Sequence, residues 1–388
     1  MLDWQAAVPY DGRMIIYPTE WNARKEAVFA ALAQADGGGR RLWTVPWSWR
    51  GFPETEARVA VCLSRAKRQP QGFGRWMKAL LIRLQYNGAR RLFQRSPGAV
   101  AVVWNGLGGS RQAFVLAARD AGLATLACEL SPFPDRITVD PVGVNAESSV
   151  MTADYAGFEA GEGWRAMGMG MTARASRRAD VGQGEGRLEG RYLFCPLQVP
   201  SDSQVTLFAG WTGGMDGFLR ALRQAALHLP QGWHLRLKEH PSARQSLAAA
   251  LAPLVATGRV VVDNATDSFA QIAGSGGVVT LNSSMGVQAF FHDKPVVVLG
   301  RAFFAQPGLV TVAQDQTTLN AAFAAADSLT YDATLRAKFM NWLDRVYYPA
   351  FKFPPGTADL SAMAEKLRQA RKMAANPPQP LSPPPPLR

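Results

Sequence analysis

Residues 100–128 read VAVVWNGLGGSRQAFVLAARDAGLATLAC, and this stretch decides the fold class. Val100–Trp104 is an unbroken apolar run of strand length, closed by the turn pair Asn105-Gly106. Gln112–Ala121 reads as a helix and Ala124–Cys128 as a second buried strand. Strand, loop, helix, strand is the βαβ unit of a parallel sheet. Upstream, Met14–Tyr17 reads as a first strand and Ala23–Ala35 as its helix. The same alternation resumes downstream. Strands are predicted at Tyr192–Cys195, His234–Lys238, Val260–Val262, Gly277–Leu281 and Pro295–Leu299. Helices are predicted at Gly217–Leu229, Ser246–Val255, Ser268–Ala273 and Ser284–Phe291. The expected architecture is α/β, with two parallel-sheet domains facing one another.

At roughly 100–200 residues per domain, 388 residues also suggest two domains. The expected boundaries are 1–185 for the first domain and 186–345 for the second. A helical segment over 346–376 and a disordered proline-rich tail over 377–388 (PPQPLSPPPPLR) follow. Gly157–Gly190, with its GQGEGRLEG run, reads as an interdomain connection with a helical part. Three widely spaced cysteines, Cys62, Cys128 and Cys195, make no disulfide framework and no zinc site, so a reducing compartment is expected. Met1–Trp4 carries no signal-peptide pattern, and no window is apolar enough to span a bilayer. The expected location is cytoplasmic.

The net charge of +12 is concentrated. Arg65, Lys67, Arg68, Arg75, Lys78, Arg83, Arg90, Arg91 and Arg95 fall in one span with no acidic residue between them. Trp76, Leu80 and Leu84 share one helical face, with Arg75, Lys78 and Arg83 mostly off it. Such a helix can lie on anionic lipid or can turn its apolar face to a core. Nucleic acid is disfavoured, because no recognised binding motif accompanies the charge.

Several polar groups stand at the carboxyl ends of predicted strands, where open α/β sheets bind ligands. PLQVPSDSQ (196–204) follows one strand and carries Gln198 and Asp202. Lys238-Glu239-His240-Pro241 ends the next, and Asn282-Ser283-Ser284 opens a helix after a third. Ser283 and Ser284 suit a phosphate at a helix start, or serve as a plain N-cap. Lys238 and His240 suit an anion, or close a strand at the surface. Asp202 suits a nucleophile or base, or an Asx-turn. In the first half, Asn105 and Glu129 hold equivalent strand-end positions. Glu129 suits a second carboxyl for sugar transfer, or a salt bridge to the basic span.

Taken together, WNGLGGSRQAFVLAARDAGL (104–123), Glu129 with SPFP and TVDPVGVNAESSV up to residue 150, PLQVPSDSQV, LKEHPS (237–242) and LNSSMGVQAFFHDKPVVVLG (281–300) resemble the capsule polysaccharide biosynthesis protein family of Gram-negative bacteria. That family includes β-Kdo glycosyltransferases using CMP-Kdo. The resemblance implies a GT-B-like fold of two Rossmann-like domains facing a cleft, with the donor nucleotide held mainly by the second. It implies that Gln198, Lys238, His240, Pro241, Asn282, Ser283 and Ser284 bind the donor and that Asp202 is the nucleophile of a retaining reaction. Asn105 and Glu129 would serve the acceptor side, His240 would assist catalysis, and neither metal nor cofactor is required beyond the CMP-Kdo substrate. The implied partners are a phosphatidylglycerol-type acceptor, the anionic inner-membrane surface and other capsule assembly or polysaccharide transport proteins. The protein would then be peripheral on the inner membrane. A transferase of another CMP-activated acid sugar, or a non-catalytic lipid- or glycan-binding component, are the alternatives.

Overall fold

A computed structural model describes residues 14–66 and 69–376. Met1–Trp4, Lys67, Arg68 and the 377–388 tail lie outside the described residues. Among the described residues, the chain forms two compact units. The first takes 14–130, 135–144 and 349–376; the second takes 131–134 and 145–348.

The first unit opens with β1 (Ile15–Pro18), α1 (Ala23–Asp36), β2 (Gly39–Leu42), α2 (Thr55–Ser64) and α3 (Gly72–Gln94). It continues with β3 (Val100–Trp104), α4 (Gly109–Asp120), β4 (Ala124–Leu130) and β5 (Ile137–Asp140). The strand order is β2-β1-β3-β4-β5. All pairings are parallel except β4 with β5. Every residue of β3 is buried, which is why that strand reads as a solid apolar run. Two strands of this sheet escape sequence reading. β2 is GRRL on the sheet edge with only Leu42 buried, so it has no apolar signature. β5 is four residues long and follows a turn too short for a crossover, so it can pair only antiparallel. The chain goes outward from β1 to β2 and then returns to β3 on the other side of β1, so this sheet's topological switch point lies between β1 and β3.

The expected apolar face of the basic helix is corrected in part. In α3 the core face begins at Ile82, and Leu84, Tyr86, Ala89 and Phe93 are buried. Leu80 is half-buried and Trp76 is exposed. The helix is longer than the surface it packs on, so its first turns stand free while its second half meets α2 and α4. Gly88 is required there, because a Cβ would stand 2.0 Å from the Pro46 carbonyl oxygen.

The second unit contains β6 (Arg191–Pro196), α5 (Ser203–Phe208), α6 (Met215–Ala226), β7 (Trp233–Lys238), α7 (Ala248–Val255) and β8 (Val260–Val262). There follow α8 (Ser268–Gly274), β9 (Gly277–Thr280), α9 (Met285–Gln288), β10 (Val296–Val298), β11 (Thr311–Val312), α10 (Gln316–Ala324) and α11 (Ala333–Trp342). The order β11-β10-β9-β6-β7-β8 is parallel throughout, with the switch point between β6 and β9. α6 shows how sequence sets the packing: Met215, Phe218, Leu219, Leu222, Ala225 and Ala226 fall at helical spacing and are all buried. The methionine, phenylalanine and leucine side chains each contribute about 1.5–3 kcal/mol on burial.

The units divide the chain differently from the boundaries expected at 185 and 345. Residues 145–185 belong to the second unit because Tyr155, Trp164 and Met167 are buried in its core, and Asn341 Nδ2 donates to the Glu159 carbonyl at 3.1 Å. The segment expected to connect the domains is therefore a covering of the second. After Tyr348 the chain returns to the first unit. It adds the hairpin β12 (Phe351–Lys352) and β13 (Thr357–Ala358), then α12 (Leu360–Ala375), whose Met363, Leu367 and Ala370 complete the first core. Arg371 clamps Asp36 through two hydrogen bonds of 2.7 Å.

Candidate active site

In the second unit, β9, β6 and β7 are neighbours, and the segments leaving their carboxyl ends hold all the residues expected to bind the donor. Adjacent strands lie about 4.8 Å apart, so Ser284, Asp202 and His240 are brought to one sheet edge at the switch point.

Asp202 caps α5, its Oδ1 accepting from the Gln204 N–H at 2.9 Å. Its turn-forming and chemical readings are compatible, because Oδ2 makes no hydrogen bond among the described residues. His240 is half-buried, and its Nδ1 accepts from the Ser242 N–H at 3.0 Å. That bond fixes the neutral tautomer with the proton on Nε2. Burial pushes the imidazole below its ordinary pKa, Arg174 pushes it further, and the Asp202 carboxylate opposes them. The His240 imidazole thus feels the charges of both Arg174 and Asp202.

Three expected donor contacts are corrected in role. Lys238 is buried, and its ammonium donates to the carbonyls of Gly182, Asn264 and Thr266. Those bonds engage all three of its N–H groups, so it ties the 182–186 stretch to the strand end and has no donor left for a phosphate. Gln198 and Asn282 are buried and close on each other, Gln198 Nε2 donating to Asn282 Oδ1 at 2.9 Å. Asn282 Nδ2 donates to the carbonyls of Gln204 and Phe208 at 2.9 and 3.0 Å. These amides join the ends of β6 and β9 from beneath. Gly300 permits that closeness, since a Cβ would meet the Phe208 and Leu281 carbonyl oxygens at 2.5 and 2.9 Å. Ser283 accepts from the Met285 N–H at 3.2 Å, a capping contact, whereas the Ser284 hydroxyl is exposed and makes no hydrogen bond among the described residues.

Glu239 is buried and supports the turn. Burial alone would raise its carboxyl, but hydrogen bonds from Arg178, the Leu247 N–H and Asn264 hold it below its ordinary value. Pro241 offers its carbonyl to the Arg177 N–H at 2.8 Å and to Ser176 Oγ at 3.3 Å. The 174–180 stretch is thereby laid on the His-Pro turn.

Sequence reading missed two cations of this edge. Arg174 was absorbed into the connector, and its guanidinium makes no hydrogen bond or salt bridge among the described residues. Arg301 follows β10 and lies 5.6 Å over the Phe208 ring. Their signal was position, one beside the His-Pro turn and the other after a strand.

The first unit has its own edge. Asn105, in the left-handed region at φ 68°, donates through Nδ2 to Glu129 Oε2 at 2.7 Å, so these two expected residues do meet. The sequence reading did not include Glu20, buried just after β1, which accepts from Lys25 at 3.0 Å and from Arg111 Nε at 2.6 Å. Trp21 follows at φ 50° with its ring exposed, 5.6 Å from Trp43. A non-glycine residue there is uncommon and is worth about 1–3 kcal/mol of strain. Among the described residues no group of three or more His, Cys, Asp or Glu is gathered to hold a metal.

Residues 157–343 match the family described as capsule polysaccharide biosynthesis protein. The chain is 32% identical over 264 residues to Protein FixF of Sinorhizobium fredii, covering 66% of this chain and 62% of that protein. It is 30% identical over 137 residues to the capsule polysaccharide modification protein LipB of Neisseria meningitidis, 34% of this chain and 32% of LipB. It therefore spans less than two thirds of these relatives. Among solved structures, the Thermosulfurimonas dismutans KpsC β-Kdo 2,7 transferase superposes with a TM-score of 0.51 at 14% identity, covering 92% of this chain and 99% of that one. The fold is GT-B-like.

Proposed function

We propose, from the match of residues 157–343 to the capsule polysaccharide biosynthesis protein family, that the chain is a glycosyltransferase that moves Kdo from CMP-Kdo to a lipid or lipid-linked acceptor of the phosphatidylglycerol type. The carrying observation is the convergence of Asp202, His240 and Ser284 on one edge at the β6–β9 switch point.

In the proposed reaction a carboxylate oxygen of Asp202 attacks the anomeric carbon of Kdo. The bond to the CMP oxygen breaks, and its electron pair leaves on the phosphate. His240, donating from Nε2, and the hydroxyl of Ser284 bind that phosphate, and Arg174 and Arg301 offset its charge. An acceptor hydroxyl then displaces Asp202 and gives its proton to a base. Two inversions retain configuration. Glu129 is the proposed acceptor-side base, with Asn105 orienting it and Trp21 and Arg111 offering a ring face and a cation to the acceptor. The donor's own carboxylate adds a second negative group, which a pair of arginines suits. No metal or cofactor is assigned a role.

The test is Asp202→Asn assayed with CMP-Kdo and a fluorescent phosphatidylglycerol analogue. Transfer is expected to fall by on the order of 10³ or more, with CMP affinity within about threefold. Equal loss of both, or transfer from CMP-sialic acid and not from CMP-Kdo, overturns the assignment.

A further inference from the structure

α3 begins without the features that make a helix start stable. Gln71 gives no side-chain cap, Gly72 sits at φ 50°, and no acidic residue occupies the first turn. Instead Arg75 lies in the first turn, at the positive end of the helix dipole, where cations are disfavoured, and Lys78 follows in the second turn. Neither side chain has a hydrogen bond or salt bridge among the described residues. α1 shows the contrast, with Asn22 capping it and Glu26 in its first turn.

The same free turns expose large apolar groups. Phe73 is 74% exposed and Trp76 57%, the two rings stacked with centroids 5.6 Å apart, and Met77 and Leu81 are exposed as well. Phe73, Met77 and Leu81 share one helical stripe, and its next positions are Leu84 and Gly88. There the 46–48 loop rides on the helix, the Ser48 N–H donating to the Leu84 carbonyl at 3.0 Å. That loop carries Trp47 and Trp49, 64% and 79% exposed. Arg91 pins it through Ser48 Oγ at 3.0 Å. One continuous strip of the first unit thus presents four aromatic rings and two aliphatic side chains beside unpaired cations.

We propose that this strip is an interfacial anchor for an anionic bilayer, in which Phe73, Trp76 and Met77, with Trp47 and Trp49, enter the headgroup region while Arg75 and Lys78 meet lipid phosphates. Indole rings favour that depth, and a negative surface relieves the uncapped, cationic helix start. The basic span as a whole is not the anchor. Arg83 is paired with Glu56, Arg90 with Glu54, and Arg91 bonds Ser48 and the Arg50 carbonyl. Binding is therefore carried chiefly by ring insertion, with charge selecting the lipid.

The inference is independent of the donor chemistry, which CMP binding in the absence of lipid reports separately. The test is co-sedimentation of the full chain with vesicles of phosphatidylglycerol and phosphatidylcholine, and with phosphatidylcholine alone. Binding to the anionic vesicles is expected to fall at least tenfold in Phe73→Ser/Trp76→Ser, and severalfold in Arg75→Glu/Lys78→Glu. Thermal melting and CMP affinity are expected to be unchanged in both, since Phe73, Arg75 and Trp76 are exposed and the half-buried Lys78 side chain has no hydrogen bond or salt bridge among the described residues. Wild-type partition of the Ser variant overturns the proposal, as does absence of wild-type binding. A concentration-dependent dimer that the Ser variant dissolves, with vesicle binding unaltered, also overturns it by assigning the face to a second copy.

Discussion

The two sheet edges are built from opposite materials. The first unit's edge is rich in charge that is already engaged: Glu20 holds Lys25 and Arg111, and Glu129 takes the amide of Asn105. The second unit's edge is poorer in charge but leaves its chemistry open. Its buried amides close on each other beneath, while Asp202 Oδ2, the Ser284 hydroxyl and the Arg174 guanidinium have no hydrogen-bonding partner among the described residues. A preorganised edge with unspent groups suits a ligand that departs with new negative charge, because donors already in place need no rearrangement when that charge appears.

His240→Ala should give the largest effect of the variants that probe this contrast, lowering transfer by on the order of 10², whereas a comparable fall from Asn105→Ala would erase the distinction. Gln198→Ala should rank next. It leaves the buried Asn282 Oδ1 without its donor and should cost about 1–3 kcal/mol, read as a lower melting temperature with the same denaturant slope. Asn105→Ala, which puts alanine at φ 68° and removes the bond to Glu129, should cost about 1–2 kcal/mol.

Acid should separate the units. His234, His240 and His292, all in the second unit, are held below the ordinary imidazole pKa, first by burial and then by neighbouring cations. The unfolded chain therefore binds protons that the folded one refuses. Stability is full above about pH 6.5 and declines as pH falls from there through the lowered values. Hydrogen exchange at pH 7 and pH 5.5 should show the β6–β7 amides losing protection before those of β3–β4; the reverse order would refute this. Ser284→Ala, removing one exposed hydroxyl, should have the smallest effect, roughly threefold in CMP affinity.

Much of the second unit was legible because its strands are buried on both faces and its helices carry a full apolar stripe, as in VVV at 296–298 and the 215–226 helix. The site was legible by position, since strand ends can be counted from such runs. What could not be read was how each polar group spends its hydrogen bonds. Lys238 and His240 look alike as donors on paper, and only packing reveals that one ammonium is saturated by carbonyls from residues 182, 264 and 266. Glu20 was hidden for the complementary reason. Its partner Arg111 is 91 residues away, and no local pattern links them.

The return of residues 349–376 to the first unit sets an order of assembly. A ribosome that has delivered residue 144 must make roughly two hundred more before α12 exists, on the order of ten to forty seconds at cellular rates. The second unit, nearly continuous in the chain, can close during that interval. The unit begun before the second is completed after it, and until then the apolar faces of β3, β4 and β5 that receive α12 must wait for a chaperone or for the synthesis of that helix.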